Sequence, residues 1–376
     1  PGSSFTVSGS TLTFASNLST GDVIDFIIVF GNSLSAGVPT DATVSTAKLA
    51  DNAVTAAKIT DTTITAAKLA SGVVQNQSAF KNLFINGDMT IAQRGTTSSS
   101  TGYQTVDRWQ LNTGTQQEQK TDTPDARFSN SFEITGTTGG SSGYGICSQR
   151  IESKNILQAL GQTCTLSAYV KNTGTSTVNV SVEVYRANST DNFSGLTLLT
   201  SLTGQAITTS WSRITFPSFT VTDACATGLE VRIFRYDASN NQEWLLTGVQ
   251  LEVGSSASDF EFLPVDVNKR RCLRYFFELG VSDSMLCNTG IAFSGSELNT
   301  NTSYPEEMRA TPTLTFFDNS GNSGRIHRNQ VGDHANAVSA VNQNNKKLAT
   351  IGSTSLGSGG GYAFRLKGDA ELWLHQ

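Results

Sequence analysis

The chain has 376 residues and a net charge of −5, with 37 % hydrophobic residues, so it has room for two or three domains with sizeable cores. Only 15 % of residues are charged, and Ser, Thr, Asn and Gly fill the difference, which suits an all-β extracellular surface that is polar but weakly charged. An isoelectric point of about 5.3 and the lack of a basic patch argue against nucleic acid as a partner, and no run approaches the ~20 apolar residues of a membrane span, so no membrane insertion is expected.

Residues 1–39 read as a small β unit with its linker. Phe5 and Val7 alternate with polar neighbours, as do Leu12 and Phe14, and Val23 to Phe30 reads as a buried strand. The start, PGSSFTV, has neither Met nor a signal peptide and is expected to mark a cut within a longer protein. Five cysteines, Cys147, Cys164, Cys225, Cys272 and Cys287, include no C-x-x-C pair, which argues for buried reduced thiols rather than a zinc site or a disulfide framework.

Residues 40–78 are organised by a decapeptide repeat: DATVSTAKLA, DNAVTAAKIT, DTTITAAKLA. Val44, Val54, Ile64 and Val74 recur in one phase, and Leu49, Ile59 and Leu69 recur in another. Each unit offers two large apolar side chains, too few to offset the chain entropy of folding alone. These positions are expected to meet copies of themselves around a narrow axis, giving a trimeric shaft; a disordered linker would not keep phase for three periods. Each T-A-A-K-L unit is compatible with a strand or with one helical turn.

Residues 79–267 read as an antiparallel β-sandwich of the jelly-roll kind. Strand candidates are 83–86, 108–111, 131–134, 145–149, 163–171, 178–185, 212–219, 228–236 and 244–252, with 155–160 as the one helical turn. Residues 268–376 read as a second sandwich, the tip. It opens on the basic stretch Lys269 to Arg274, expected to run into an aromatic strand. Further strands are expected at 291–294, 313–318, 348–351, 362–367 and 370–375. The fold class expected is therefore all-β.

Four pieces carry a resemblance. The T-A-A-K-L/I-x-D units are similar to the short Ala-Lys-Leu repeats of tail fibres of tailed bacteriophages and related prophages. Asn82-Leu83-Phe84-Ile85-Asn86-Gly87-Asp88-Met89, then Ile91 to Gly95 and Asp107-Arg108-Trp109, resembles the opening of their receptor-binding jelly roll. Gly248 to Gly254, Phe260-Glu261 and Cys272 to Phe276 resemble its close, and Met308 to Thr313 resembles part of their distal tip. The resemblance implies a homotrimeric virion fibre, assembled in the host cytoplasm. Its N-terminal side would face phage tail or baseplate proteins, and its C-terminal domains a host surface glycan or outer-membrane receptor. Jelly rolls of this kind often hold a structural calcium between first and last strands, and Asn86, Asp88 and Glu252 would supply hard oxygen ligands there.

Catalytic chemistry is sparse. His327, His334 and His375 have no metal-ligand spacing, there is no G-x-S-x-G elbow or P-loop, and Glu306-Glu307 is the densest acidic pair, whose side chains point to opposite faces of a strand. Non-catalytic adhesion is the leading expectation, with a polysaccharide-degrading tailspike and a structural adaptor fibre as alternatives. Sugar sites set an aromatic face against a ring and polar side chains against hydroxyls. In the sandwich, Tyr103 and Tyr144, in Gly/Ser-rich stretches, are expected to face solvent, while Trp109 and Trp211 are expected in the core; Tyr185, Tyr236 and Trp244 are further aromatic candidates. In the tip, Tyr304, Phe317, His327, His334 and Tyr362 border polar loops, and the irregular stretch 318–345 is where receptor contact is expected.

Overall fold

The computed structural model describes residues 5–25, 44, 49–51, 53–55, 58–59, 80–137, 144–174, 177–236, 243–280, 288–292, 297–328, 332–334, 338–341, 348–353 and 361–371. The chain divides into two compact units, Pro1–Ser71 and Gly72–Gln376.

In the first unit, β1 (Phe5–Ser8) and β2 (Thr11–Phe14) form a hairpin in which Phe5 faces Phe14 and Val7 faces Leu12. Gly9 turns the chain at φ 61°, where a side chain would be strained. The expected strand over Val23 to Phe30 is not borne out at its start: Val23 and Ile24 are exposed and unpaired in strands, and 26–30 lie outside the described residues. In the repeat, Val44, Leu49, Val54 and Ile59 are all exposed, and the backbone bonds from Ala53 N to Ala50 O (3.0 Å) and from Lys58 N to Thr55 O (2.9 Å) close tight turns. Ile64, Leu69 and Val74 lie outside the described residues.

The second unit begins with the sandwich. Its strands are β3 (Thr97–Ser98), β4 (Gln110–Thr113), β5 (Gln116–Lys120), β6 (Ser131–Thr135), β7 (Tyr144–Ile151), β8 (Thr163–Asn172), β9 (Val178–Ser189), β10 (Asn192–Ile207), β11 (Ser212–Thr215), β12 (Phe219–Thr220), β13 (Leu229–Tyr236) and β14 (Glu243–Val253). One antiparallel sheet has the order β10-β9-β13-β7-β4; the other runs β11-β8-β14-β6-β5-β3, with β12 beside β8. The period-2 pattern does the sorting. Val178, Val180, Val182 and Val184 point inward with Val231, Ile233, Leu246 and Leu251, and Trp109 and Trp244 are wholly buried among them. Cys147, Cys164 and Cys225 are buried free thiols of this core, and Cys272 is likewise free and buried. The short helix α1 (Ser153–Ile156), with a 3₁₀ turn over Leu157–Ala159, matches the expected helical turn.

Residues 83–86 do not form the expected strand. They lie as an irregular segment pinned by side chains: Gln149 holds both Ile85 N (2.7 Å) and Ile85 O (2.9 Å), and Asn86 reaches Ile91 O and Asp107 O, each at 2.9 Å. The basic stretch 269–274 runs into an aromatic strand, Phe276–Leu279, as expected, but it lies largely in a helix that was not among the expected elements. Helix α2 (Val265–Leu273) follows Pro264, carries Asp266 in its first turn and Arg270 and Arg271 in its last, charges that favour a helix dipole. The expected boundary at 267/268 therefore falls inside a helix.

The terminal sheet contains β15 (Phe276–Leu279), β16 (Asn288–Ala292), β17 (Glu297–Ser303), β18 (Thr313–Phe317), β19 (Ile326–Arg328), β20 (Gly332–His334), β21 (Val338–Val341), β22 (Leu348–Ser353) and β23 (Gly361–Asp369). Strand β23 is its spine and pairs with β15, β16, β18 and β19. Phe277, Phe316, Tyr362, Phe364 and Leu366 fill its core with Tyr304 and Met308. Residues 370 and 371 leave the strand, and 372–376 lie outside the described residues. No helix among the described residues is long and apolar enough to cross a membrane.

Sandwich and terminal sheet are joined by buried charge. Arg108 and Glu371, both nearly inaccessible, form an ion pair; Arg108 also donates to Arg150 O (2.7 Å) and lies 3.5 Å from the Tyr275 ring centroid. Ala370 N donates to Tyr275 O (2.7 Å), and Arg309 Nε to Ala370 O (3.0 Å). Removing one partner of a buried pair strands the other charge. Glu371→Gln is expected to lower the free energy of unfolding by roughly 3–5 kcal/mol, whereas Arg108→Met combined with Glu371→Leu should recover most of that loss; urea denaturation of the three variants checks this.

Candidate functional site

Strand β23 alternates. Tyr362, Phe364 and Leu366 face the core, so Arg365, Lys367 and Asp369 stand on the opposite face. Pairing registers place Glu278 beside Lys367 and Phe276 beside Asp369 on one flank. On the other flank Thr313, Thr315 and Phe317 lie beside Asp369, Lys367 and Arg365, and His327 lies beside Ala363. The result is a ladder of side chains across β15, β23 and β18, with His327 of β19 at a register position on the same face.

The ladder is cross-linked by charge. The Glu278 carboxylate accepts from Arg365 Nη2 at 2.8 Å and pairs with Lys367 Nζ at 3.2 Å. The half-buried Phe317 ring lies 5.2 Å from Lys367 Nζ and 5.5 Å from Arg365 Cζ. At the foot of the ladder Arg94, from the sandwich, donates to Asp369 at 3.0 Å and stacks 3.8 Å from the Phe276 ring centroid. Here a groove of about 420 Å³ opens between the sandwich and the terminal sheet, lined by Arg94, Tyr103, Gln104, Phe276, Thr313, Thr315, Lys367 and Asp369. It offers hydroxyl, ammonium and carboxylate groups on strands and the Gln104 amide on a loop, a surface matched to a hydroxyl-rich ligand.

Behind the groove wall the charges are buried. Arg94 lies 3.9 Å from Asp107 and 3.6 Å from Glu371. Asp107 accepts from the side chain of Gln93 and from Gln93 N (3.0 Å). Burial nevertheless pushes the Asp107 carboxyl up to about 6, against the opposing pull of Arg94, and burial raises Glu371 as well.

The sequence-predicted residues fare unequally. Phe317 and His327 stand on the ladder. Tyr304 and Tyr362 are buried in the core behind it, and Tyr103 is 1 % exposed, so none of the three is a surface ring. Tyr103 was expected in a free loop; its polar neighbours hide a packed residue whose ring lies 5.9 Å from Arg94. Tyr144 is the first residue of β7, paired with Tyr236, rather than a loop residue. His334 sits in β20 opposite Ile326. Trp211, expected in the core, is only half-buried and donates its indole N–H to Asp122 at 2.8 Å. The stretch 318–345 is less irregular than expected: Asp318 receives Asn322 N (2.8 Å) and Asn322 Nδ2 (2.9 Å) in a tight turn, and β19, β20 and β21 follow.

The oxygens expected to bind calcium do not fit a shared ion. Asp88 accepts from Asn268 Nδ2 (2.9 Å) and Thr90 Oγ1 (2.7 Å), and Asn86 Oδ1 accepts from Ile91 N (3.0 Å). Glu252 belongs to a separate network, accepting from Ser258 N and Gln250 Nε2, each at 2.8 Å. N–H donors occupy these positions and cannot ligate a cation.

No protein-family model and no curated protein sequence matches the chain. Among solved structures, the enzymatically active domain of tailspike protein 4 from bacteriophage CBA120 is similar at 14 % identity and TM-score 0.31 over 46 % of this chain, which spans 22 % of that one. A xylan-binding domain from Paenibacillus barcinonensis is similar at 15 % identity and TM-score 0.30, over 44 % of this chain and all of that one. A family 11 carbohydrate-binding module from Clostridium thermocellum is similar at 13 % identity and TM-score 0.27, over 44 % and 98 %.

Asp107 fixes a pH dependence. Its native carboxyl holds a proton more tightly than an unfolded one near 3.8, so its contribution to stability is fully present below about pH 4 and is lost as pH rises through about 6. Asp107→Asn is expected to flatten the fall in melting temperature between pH 4 and 7, with a residual slope from Glu371; scanning calorimetry across that range measures it.

Proposed function

We propose that the chain is a non-catalytic adhesin: the receptor-binding part of a homotrimeric tail fibre of a tailed bacteriophage or prophage, recognising a host surface glycan. The observation that carries glycan recognition is the polar ladder and its groove. Hydroxyl-rich ligands are held by arrays of fixed donors and acceptors, and here both kinds alternate over Lys367, Glu278, Thr315 and Asp369 on antiparallel strands, with Gln104 supplied by a loop of the sandwich. Each ladder carboxylate already has a cationic partner, Glu278 with Arg365 and Lys367 and Asp369 with Arg94, which favours binding over acid–base chemistry.

The exposed Val44, Leu49, Val54 and Ile59 support the trimer, since apolar side chains kept in phase need partners that one chain does not supply. Three shallow sites on one fibre then act together through effective concentration.

Two measurements test the reading. Light scattering is expected to give three times the 40.0 kDa chain mass; a monomer would remove the shaft. On an array of bacterial surface polysaccharides, Lys367→Ala is expected to weaken binding by about tenfold or more while lowering stability by no more than about 1 kcal/mol, the upper end for a partly exposed ion pair such as that with Glu278. Release of reducing ends from the bound polysaccharide would replace adhesion with depolymerisation.

A further inference from the structure

Phe80 is a large ring held in the wrong place for a single chain. It is 50 % exposed, and its backbone stands at φ 65°, a region that bulky residues avoid. The conformation is imposed: Glu261 accepts from Phe80 N (2.6 Å) through one oxygen and from Asn82 N (3.0 Å) through the other, while Lys81 Nζ is fixed on Ser258 Oγ (2.6 Å) and Asp259 O (2.8 Å). The ring forms part of the wall of a cleft of about 530 Å³, together with Leu83, Lys154, Leu157 and Arg271, and lies 5.9 Å from Arg271 Cζ of its own chain. Leu157 is 57 % exposed, and Arg271 Nη1 is buried without a hydrogen-bond partner among the described residues. Strain, an exposed ring, an exposed leucine and an unanswered donor thus meet at one place.

We infer that this cleft is an intersubunit socket: Phe80 of one copy of the chain seats against Leu157 of the next. The inference rests on the trimer proposed above. Phe80 follows Val74, the final apolar repeat position, by six residues, which span at most about 20 Å when extended. Copies wound together through the repeat therefore keep their Phe80 rings close to the common axis. The lining side chains carry two cations, Lys154 and Arg271, while the nearby Glu261 carboxylate is held by Phe80 N and Asn82 N. A two-fold contact would set Lys154 against like charge, whereas a rotational contact places one copy's ring and backbone carbonyls in the next copy's cleft, where they answer Arg271.

The test uses the full chain. Phe80→Cys and Leu157→Cys chains carrying tags of different length are co-expressed, purified reduced and then oxidised. Both substitutions are made in a Cys287→Ser background, in which the remaining four cysteines are buried; a disulfide between the two tags is then necessarily intermolecular, and we expect it in at least half of mixed trimers, with none for the background chain alone. A trimeric mass without that cross-link overturns the socket and leaves the trimer standing, as it would if residues 72–79 of the same chain filled the cleft. A monomeric mass overturns both. Phe80→Ala, which relieves crowding at the strained position, provides a second readout: exchange of subunits between differently tagged trimers should speed up at least tenfold, and an unchanged rate counts against the socket.

Discussion

The second unit depends on one interaction, the ion pair of Arg108 and Glu371 sealed between sandwich and terminal sheet. Sequestering two charges costs more than a surface pair returns, so the arrangement is tolerable only where additional partners complete it. Arg108 has them in Arg150 O and the face of Tyr275, and it accepts a left-handed backbone at φ 70° to reach them. Arg274 adds a bond to Glu152 at 3.0 Å, tying α2 to the end of β7. A shifted docking of the two parts would leave these charges buried and alone. We read the network as a specification of one relative orientation, with stability a smaller part of its role.

That orientation creates the candidate site. Arg94 belongs to the sandwich, yet its guanidinium ends on Asp369 and covers the Phe276 ring in the terminal sheet. One side of the groove is therefore supplied by each part, and the groove exists only when they dock in register. The same residue links surface to interior, since Arg94 also faces Asp107 and Glu371. A ligand group that competes for Asp369 acts on a charge set whose other members are buried, a coupling that a site confined to one sheet would lack.

Much of the fold was legible in period-2 patterns. The valines of β9 and the inward faces of β13 and β14 follow directly from alternation. The long edge strand β10 was missed because it pairs only with β9, carries bulges and keeps most side chains polar and part-exposed. The basic stretch does lead into the aromatic strand β15, but helix α2 within it went unread, although Pro264, Asp266 and the late arginines were all present as helix signals. The site was half legible. Phe317 and His327 were named from their polar surroundings, but Tyr103 was misplaced by the same reasoning, because a Gly/Ser-rich neighbourhood reports local chain chemistry and not the distant groups that pack on it. Arg365 and Lys367 were readable as one face of a strand already predicted to cover 362–367; Asp369 falls on the same face only because the strand runs on to 369. Arg94 was not, since Asp369, the groove residue to which it donates, lies 275 positions away.

The ladder is built to be stiff rather than tight. Glu278 is shared between Arg365 and Lys367, so each donor is pre-aimed by a neighbour and loses little side-chain entropy when a ligand arrives. The same sharing means that a ligand hydroxyl replaces part of an existing interaction instead of meeting an empty one, which caps the gain at each contact. A surface of this kind favours many modest contacts over one strong anchor. Such a site serves adhesion only if it is repeated, and the phased apolar positions of the decapeptide repeat are the feature of this chain that would repeat it. The two halves of the proposed function thus require each other: weak, orientable recognition at one end and multiplication at the other.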